Sequence, residues 1–330
     1  SSKVAIVWLS YNVHGNEAVS MEAAMKVLYD LVGETPLPDA EKWLENMVIV
    51  IDPCENPDGR DRYANWYNQA KNKTPNANPD AWEHYEPWPN GRYNHYNFDL
   101  NRDWAWQTQT ESQARTQLYR KWMPQVHVDL HEMSPNASYF FPPSAEPFHQ
   151  TMTDWQRDFH KLAGKSHSKY FDKEGWLYFT SETYDLFYPS YGDTWPTFNG
   201  AMGFTYEQGG SGRAGLGIRT NEGDTLTLND RIAHHYTSSI STIDISFQQK
   251  DKLLEQFNAY FKQGMSKPSG AYKSYVIKAG NNPKSVEALL TLLDNQGIKY
   301  GYASTGKNTA FVGFDYLKNG DGNFSLTDKD

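Results

Sequence analysis

The sequence predicts an α/β fold, a three-layer sandwich with a mixed, mostly parallel sheet. Short apolar runs, which are typical of buried strands, recur through the first 207 residues. Segments with apolar residues at steps of three and four lie between these runs and indicate helices. Gly- and Pro-rich turns separate many of the segments. Because strands and helices alternate along the chain, the helices are expected to pack against one central sheet.

The individual elements follow in chain order. Apolar runs predict strands at residues 3–9, 47–51, 125–131 and 201–207. Helical periodicity predicts helices at residues 17–32, 107–123, 148–170 and 229–262. Residues 60–98 are polar and rich in Asn, Pro and Trp, which predicts a long loop, and its aromatic residues favour an ordered one.

A second, smaller domain is predicted after the first. The main domain covers residues 1–263, residues 264–270 are a Gly- and Pro-containing linker, and residues 271–330 form a partial small α/β domain of unknown role. This domain is predicted to contain a strand at 274–278, a helix at 283–295 and a strand at 298–303. Because the chain opens directly on a core strand, we expect the main sheet to be truncated at its N-terminal side.

Composition excludes some classes of function. The chain has a net charge of −9 and no basic block, which argues against a nucleic-acid partner. No stretch reaches the roughly 20 apolar residues that a membrane-spanning helix needs. Cys54 is the only cysteine, so no intrachain disulfide can form.

Potentially reactive side chains follow the predicted strands, at the edge where open α/β sheets bind ligands. Histidine and carboxylate are ligands that zinc accepts, and both occur after the first strand and at the ends of later ones. The candidates are His14, Glu17, Asn101, Arg102, His131 and Glu207. His127 competes with His131 because both lie on one face of the strand with Asp129. We favour His131 because it lies at the strand end.

Five motifs occur in an order that resembles the M14 family of zinc carboxypeptidases, of the carboxypeptidase A type. They are His14-Gly-Asn-Glu17, Asn56-Pro-Asp-Gly59, Asp99-Leu-Asn-Arg-Asp-Trp104, His131 and Tyr206-Glu207. The resemblance covers roughly residues 3–245 and implies a zinc carboxypeptidase-like catalytic domain in residues 1–263. It implies one zinc ion per chain, bound by His14, Glu17 and His131. It also implies Glu207 as the catalytic carboxylate, and Asn101 and Arg102 as ligands of a terminal carboxylate.

Three further roles follow from the resemblance. Arg92 matches the arginine that polarises the scissile carbonyl, with Arg60 and Arg62 as rivals. Tyr188 matches the mobile tyrosine that closes over substrate, with Tyr191 as its rival. Asp193 lies near the position at the bottom of the side-chain pocket, where an acid favours a basic terminal residue.

The expected activity is the hydrolytic removal of C-terminal residues from peptides that carry a free carboxylate. Metal-activated water attacks the carbonyl, and Glu207 transfers the proton to the leaving amine. One alternative is an amidohydrolase of the same family that acts on murein peptides or N-acyl amino acids. Another is a non-catalytic module that binds peptide or carbohydrate through the aromatic segment 60–98. A degradative exopeptidase suggests a secreted or periplasmic location, and the sequence leaves the oligomeric state open.

Overall fold

The computed structural model describes residues 4–266, 272–278, 282–303 and 309–326. Two compact units are distinguished, Ser1–Lys267 and Pro268–Asp330. The boundary between them falls inside the segment 264–270, where the sequence predicts a linker. The two units are described separately.

A six-stranded sheet forms the centre of the first unit. The strands of this unit are, in chain order, β1 (Ala5–Tyr11), β2 (Met47–Asp52), β3 (Val126–Met133), β4 (Tyr139–Phe140), β5 (Ala145–Phe148), β6 (Tyr178–Phe179), β7 (Asp185–Leu186), β8 (Met202–Gly209), β9 (Gly217–Arg219) and β10 (Thr225–Thr227). Six of them form the central sheet, while β5 pairs with β7 and β9 pairs with β10 in two separate small sheets. The spatial order is β2-β1-β3-β8-β4-β6. The strands β2, β1, β3 and β8 run parallel, and β4 runs antiparallel to β8. The predicted mixed, mostly parallel sheet is confirmed.

Eight helices accompany these strands in the described part of the first unit. They are α1 (Val19–Val32), α2 (Ala40–Asn46), α3 (Pro57–Ala70), α4 (Thr110–Trp122), α5 (Asp154–Glu174), α6 (Thr194–Phe198), α7 (Leu228–Gln248) and α8 (Lys250–Ser266). Among these described helices, none combines the length and apolar character needed to cross a bilayer.

Side chains alternate between the two faces of the sheet, and each face has its own core. On β1, Val7 and Leu9 face a core that includes residues of α1, α5 and α7. Trp8 faces the opposite side and packs with Tyr119 of α4 and Trp195 of α6. Helices therefore cover both faces, and the predicted three-layer sandwich is confirmed.

The prediction of a loop at 60–98 is wrong for its first part, because α3 extends to Ala70. Asn56 caps this helix by accepting a hydrogen bond from the backbone N–H of Gly59 at 2.9 Å, and Pro57 occupies the first turn. Its buried stripe consists of Tyr63 and Tyr67, one turn apart.

The single helix predicted at 229–262 is also wrong, because it breaks at Gln249 into α7 and α8. After the break, Leu253 of α8 is fully buried in the same core as Val7 and Leu9. Burial of this side chain stabilises the turn, an effect that helical periodicity alone does not contain.

The second unit contains α9 (Pro283–Gln296) and an antiparallel hairpin of β11 (Ala310–Asp315) and β12 (Gly320–Ser325). The helix agrees with the prediction, and Asn282 caps its start. The strands predicted at 274–278 and 298–303 are wrong, because both segments lack strand structure. Among the described residues of this unit, the hairpin strands pair only with each other, so neither apolar segment has a neighbouring strand.

Candidate metal centre

Three parallel strands bring the candidate residues to one edge of the sheet. His131 lies near the end of β3 and is in register with Glu207 of β8, while β1 ends at Tyr11 beside Leu130 of β3. His14 and Glu17 lie in the turn between β1 and α1. The ends of adjacent parallel strands therefore place the candidate ligands together.

The turn that carries His14 and Glu17 is fixed by its own polar groups. Asn12, at φ 62°, donates hydrogen bonds from its side-chain amide to the carbonyl oxygens of His14, Gly15 and Glu17 at 3.0–3.3 Å. A Cβ at Gly15 would lie 2.1 Å from the carbonyl carbon of Gly59, so only glycine fits there. The close approach of these two segments holds the ligand pair in place.

The candidate metal ligands converge on one point. Nδ1 of His14 lies 2.8 Å from a carboxylate oxygen of Glu17 and 3.2 Å from Nδ1 of His131, which in turn lies 3.2 Å from the other oxygen of Glu17. Tetrahedral zinc with bonds of about 2.0–2.1 Å separates its ligands by about 3.3 Å. The donor set of two imidazoles and one carboxylate therefore fits zinc.

The far side of each imidazole faces a carboxylate. Nε2 of His14 lies 3.1 Å from Asp99, and Nε2 of His131 lies 2.7 Å from Asp129. These contacts leave Nδ1 of both rings directed at the metal centre and fix the orientation of the rings. Burial alone would lower the pKa of His131, but the carboxylates of Asp129 and Glu17 raise it well above its usual value.

Glu17 is buried and held by neighbours that favour its charged form. Burial alone would raise its pKa, but the charges and hydrogen bonds of His14 and His131 hold that pKa below its usual range. The backbone N–H of Glu132 donates to Glu17 at 2.8 Å. The side chain of Glu132 forms a buried ion pair with Arg231 at 2.9 Å, which identifies it as a structural neighbour of the site.

Arg92 reaches the ligands, whereas its two rivals do not. The Arg92 guanidinium lies 3.3 Å from Nδ1 of His14 and pairs with Asp99 at 2.9 Å. Arg60 pairs with Glu22 at 2.8 Å, and Arg62 donates to backbone carbonyls at 90, 93 and 94. The structure therefore places one of the three arginines beside the metal centre.

The rival histidine lies elsewhere. His127 is buried beside Trp104 and Tyr119 and lies within hydrogen-bond distance of Ser10 at 3.0 Å. Burial lowers its pKa to about 4. His127 therefore belongs to the aromatic core under the site.

Glu207 is buried at the wall of the cavity. Its Oε2 atom has no hydrogen-bond partner among the described residues. Burial raises the pKa of Glu207 to about 8, and the charges of Glu17 and Asp129 act in the same direction, while His131 and Arg92 oppose them. A buried carboxylate with a raised pKa beside the candidate metal ligands is suited to proton transfer.

A cavity of about 300 Å³ opens over these groups, and we call it the main cavity. Its lining includes His14, Glu17, Arg92, Asn101, Arg102, His131, Thr183, Tyr184, Tyr191, Asp193, Thr205 and Glu207. Asn101 is buried and accepts a hydrogen bond from the backbone N–H of Gly192 at 2.8 Å. The exposed Arg102 guanidinium lies 4.6 Å from the ring centre of Tyr191. Arg92 and Arg102 thus bring two guanidinium groups into the cavity wall.

The two candidate tyrosines occupy different places. Tyr191 lines the main cavity, while Tyr188 is absent from its wall. The Tyr188 hydroxyl accepts a hydrogen bond from the indole N–H of Trp106 at 2.9 Å, and its ring lies 4.9 Å from that of Tyr191. Tyr188 therefore packs behind Tyr191 and does not itself line the main cavity.

Asp193 is buried and also lines the main cavity. Its side chain accepts hydrogen bonds from the Thr194 backbone at 2.6 Å and from the Thr205 hydroxyl at 2.8 Å. Burial raises the pKa of Asp193 to about 6. An acidic group whose charge changes near neutral pH is thus available in the wall.

Thr205 and Tyr184 are among the wall residues that sequence reasoning missed. Thr205 lies two residues before Glu207 on β8, and the alternation of strand side chains could have identified it. Tyr184 packs against Phe140 at 4.6 Å between ring centres and donates to the sulfur of Met133 at 3.4 Å. Its position depends on a loop whose path no sequence periodicity reveals.

Comparison with known proteins agrees with this architecture. An α/β sandwich whose strand edge carries two histidines and a glutamate belongs to a class of proteins with the donor set of a catalytic zinc site. The family model described as zinc carboxypeptidase matches residues 1–216. The chain belongs to the zinc carboxypeptidase family.

The individual proteins that the chain resembles are less than a third identical to it in the matched region. Carboxypeptidase 2 of Trichophyton rubrum is 29% identical over 139 residues, which cover 42% of this chain and 20% of that protein. Carboxypeptidase 2 of Trichophyton equinum is 28% identical over 139 residues, with coverage of 42% and 20%. The match thus spans about a fifth of the length of these relatives.

The fold has counterparts among solved structures. A metallo-carboxypeptidase from Burkholderia cenocepacia superposes with a TM-score of 0.52 at 13% identity, covering 76% of this chain and 58% of that one. Because the sequence identity is 13%, this structural similarity is evidence for a shared fold alone.

Proposed function

We propose that the protein is a zinc-dependent exopeptidase that removes C-terminal residues from peptides. The observation that carries the proposal is that one cavity contains three candidate zinc donors, a buried carboxylate and two arginine side chains. These are the three parts that hydrolysis of a C-terminal peptide bond needs.

His14, Glu17 and His131 would hold one zinc ion per chain. When bound, zinc polarises a carbonyl oxygen and lowers the pKa of water, which is the chemistry that amide hydrolysis requires. Three protein ligands leave room for further ligands, as in catalytic zinc sites.

Glu207 acts as the general base and then as the general acid. Its carboxylate takes a proton from the attacking water and delivers it to the amine that leaves. The burial of this carboxylate and its raised pKa support the role, because a group that holds a proton near neutral pH can also release it. Arg92 lies beside the donors and supplies positive charge where the carbonyl oxygen becomes negative.

Arg102 and Asn101 bind the terminal carboxylate and thereby make the enzyme an exopeptidase. A guanidinium can bind a carboxylate through two parallel hydrogen bonds, which fixes the position of the peptide end. Tyr191 supports the guanidinium from one side. The role assigned to Tyr188 from the resemblance remains a proposal, with Tyr191 as the alternative inside the cavity.

Asp193 would select the terminal side chain. Its carboxylate lies in the cavity wall at low exposure, where its charge is weakly screened. A basic terminal side chain is therefore the expected preference.

The organisation of the chain and its location stay proposals. Residues 1–263 would form the catalytic domain, joined by a linker to the second unit. The secreted or periplasmic location remains a prediction.

The decisive experiment pairs metal analysis with peptide hydrolysis. We expect about one zinc per chain, and hydrolysis of peptides with free C-termini but not of the same peptides as amides. The Arg102→Gln variant should lose most of the difference between the two sets. Hydrolysis of N-acyl amino acids or murein peptides alone would favour the amidohydrolase reading. Zinc far below one per chain, with no hydrolysis, would favour a non-catalytic binding module.

A further inference from the structure

A second concavity is lined by residues that are close in sequence to main-cavity residues at three places in the chain. We call it the side pocket; it has a volume of about 330 Å³ and is lined by Asn16, His84, Tyr85, Glu86, Asn90 and Ser211–Arg213. Asn16 lies between the main-cavity residues His14 and Glu17. Asn90 lies two residues before Arg92, and Ser211 follows Glu207 by four residues.

The floor of the side pocket is held together by hydrogen bonds and close packing. The side-chain amide of Asn16 donates to Glu86 at 2.9 Å, and the backbone N–H of Gly91 donates to the other oxygen of Glu86 at 2.6 Å. A Cβ at Gly212 would lie 2.6 Å from the amide nitrogen of Asn16, so the turn at 211–213 lies directly against the floor. The pocket is therefore formed by fixed backbone segments.

Arg213 is the cation at the rim of the side pocket. Its guanidinium lies 5.1 Å from the ring centre of Tyr85 and donates to the Tyr85 hydroxyl at 3.4 Å. Its carbonyl oxygen lies 2.5 Å from Nδ1 of His84, which anchors the backbone under the side chain. The nearby acid Asp80 accepts the Tyr85 hydroxyl at 3.5 Å. Within the described parts of the chain, no carboxylate lies within 4.0 Å of this guanidinium.

Glu86, the acidic residue of the side pocket, already has hydrogen-bond partners. Both oxygens of Glu86 accept hydrogen bonds, one from the side-chain amide of Asn16 and the other from the backbone N–H of Gly91. The exposed Arg213 guanidinium is therefore the group that remains available for a ligand, and its donors match a carboxylate.

The side pocket is lined by segments other than those proposed to bind the peptide end. None of its lining residues comes from segments 101–102 or 188–193, which carry the proposed carboxylate and side-chain contacts. A peptide bound with its C-terminus at Arg102 and its scissile carbonyl at the donors directs its N-terminal part away from those segments. A peptide advances by at most about 3.3–3.6 Å per residue, so residues two to four positions upstream of the scissile bond extend up to roughly 7–14 Å from it.

We propose that the side pocket binds the substrate upstream of the scissile bond and that Arg213 selects an acidic side chain there. This inference rests on the proposed carboxypeptidase function and names a class of substrate for it: peptides with Asp or Glu a few residues before the bond that is cut.

The test uses N-terminally blocked peptides with one common C-terminal residue and either Glu or Gln at the second, third or fourth residue upstream of the scissile bond. At one of these positions, the wild-type full chain should show a kcat/KM for Glu roughly three- to tenfold above that for Gln at low salt. The ratio should approach one in Arg213→Gln and should fall as salt increases. The Gln variant retains the backbone carbonyl that His84 contacts.

Arg219→Gln is the matched control, because it removes the same charge from β9, outside both concavities. It should keep the wild-type Glu-to-Gln ratio. A ratio near one at all three positions in the wild type, or an unchanged ratio in Arg213→Gln, overturns the proposal.

Two further measurements separate this proposal from the proposed function. Hydrolysis of a blocked dipeptide, which is too short to reach the side pocket, tests the carboxypeptidase activity alone. The Kd of zinc-loaded Glu207→Gln for the long peptides, measured by fluorescence anisotropy, tests the subsite without turnover. Cleavage of the dipeptide with equal Kd values for Glu and Gln peptides leaves the function standing and refutes the subsite.

Discussion

Asp129 and His131 lie two residues apart on one face of β3, with Oδ2 of the aspartate 2.7 Å from Nε2 of the histidine. Both side chains are buried. A carboxylate at this distance favours a proton on Nε2, which leaves Nδ1 as the donor atom toward the candidate metal centre. An uncharged partner would hold the ring less firmly and make it a weaker base.

We therefore expect Asp129→Asn to weaken zinc binding by roughly ten- to a hundredfold. Competition with a chromogenic chelator measures this affinity independently of any activity. Asp58→Asn, an exposed position in the first turn of α3, is the matched control and should bind zinc like the wild type. Equal zinc affinity in all three proteins would show that Asp129 has no influence on the ligand.

Much of the metal centre could be predicted from sequence because each ligand lies at a strand end or one turn beyond it. His14, Glu17 and His131 need only the parallel sheet to come together, and the apolar runs indicate that sheet. The identity of the competing arginine and tyrosine could not be derived in this way. Their positions depend on loops at 85–99 and 181–193, whose paths are set by packing and by residues with positive φ, such as Thr183 at 66°.

The fold errors have a similar origin. The helix α3 begins with an Asn cap and a Pro, which are valid signals, but its polar composition hides the narrow buried stripe of Tyr63 and Tyr67. The two-residue strands β4 and β6 are too short to show alternation. Such elements form because the sheet edge provides hydrogen-bond partners, and this information lies outside their own residues.

Glu207→Gln should keep zinc and lose hydrolysis. Glutamine has nearly the same shape as glutamate but cannot accept the proton of water, so kcat should fall by roughly 10²- to 10⁴-fold. The measurements are the zinc content and the single-turnover rate on one peptide. Glu182→Gln, on the exposed surface, is a control for the substitution itself. Retained hydrolysis in Glu207→Gln would refute the proposed base.

Tyr191 and Tyr188 can be distinguished by substitution. Tyr191→Leu removes the ring beside Arg102, so the guanidinium loses its support and KM for free C-terminal peptides should rise roughly three- to tenfold. Tyr188→Phe removes only the hydroxyl that Trp106 contacts and should have the smaller effect. A larger KM change in Tyr188→Phe would restore Tyr188 as the closing residue.

Asp193 predicts a pH-dependent side-chain preference. Burial raises its pKa to about 6, so the group is neutral below that pH and charged above it. A C-terminal lysine stays positive throughout this range. The ratio of kcat/KM for Lys over Leu peptides should therefore increase as pH rises from 5 to 7.5, with a midpoint near the pKa of about 6.

Using a ratio cancels the titration of groups that act on both peptides equally. Asp193→Asn keeps an oxygen that can accept from Thr194 but carries no charge, so its ratio should stay low and flat with pH. A flat ratio in the wild type as well would remove Asp193 from the specificity pocket.

A buried ion pair under the site provides a prediction about stability. Arg115 and Glu55 lie 2.8 Å apart with side-chain exposures of 6% and 1%, and the guanidinium also lies 3.7 Å from the ring centre of Trp104. Burial raises the pKa of Glu55 to about 8, although the charge of Arg115 opposes the shift. A carboxyl group with a raised pKa costs stability as pH increases, because folding disfavours its charged form.

Arg115→Met should therefore be destabilising in a pH-dependent manner. Methionine can still pack against Trp104, but the variant leaves Glu55 buried without its cation and raises its pKa further. The loss in the free energy of unfolding should be nearly constant between pH 5 and pH 7, and it should grow by up to about 1.4 kcal/mol per pH unit above the wild-type pKa of about 8. Urea denaturation of the zinc-loaded protein at pH 6 and at pH 9.5 measures this difference. The double variant Glu55→Gln/Arg115→Met should recover the additional loss at pH 9.5, because no buried carboxyl group remains to be ionised. An equal loss at both pH values, with no recovery in the double variant, would mean that packing of Arg115 on Trp104 determines its contribution.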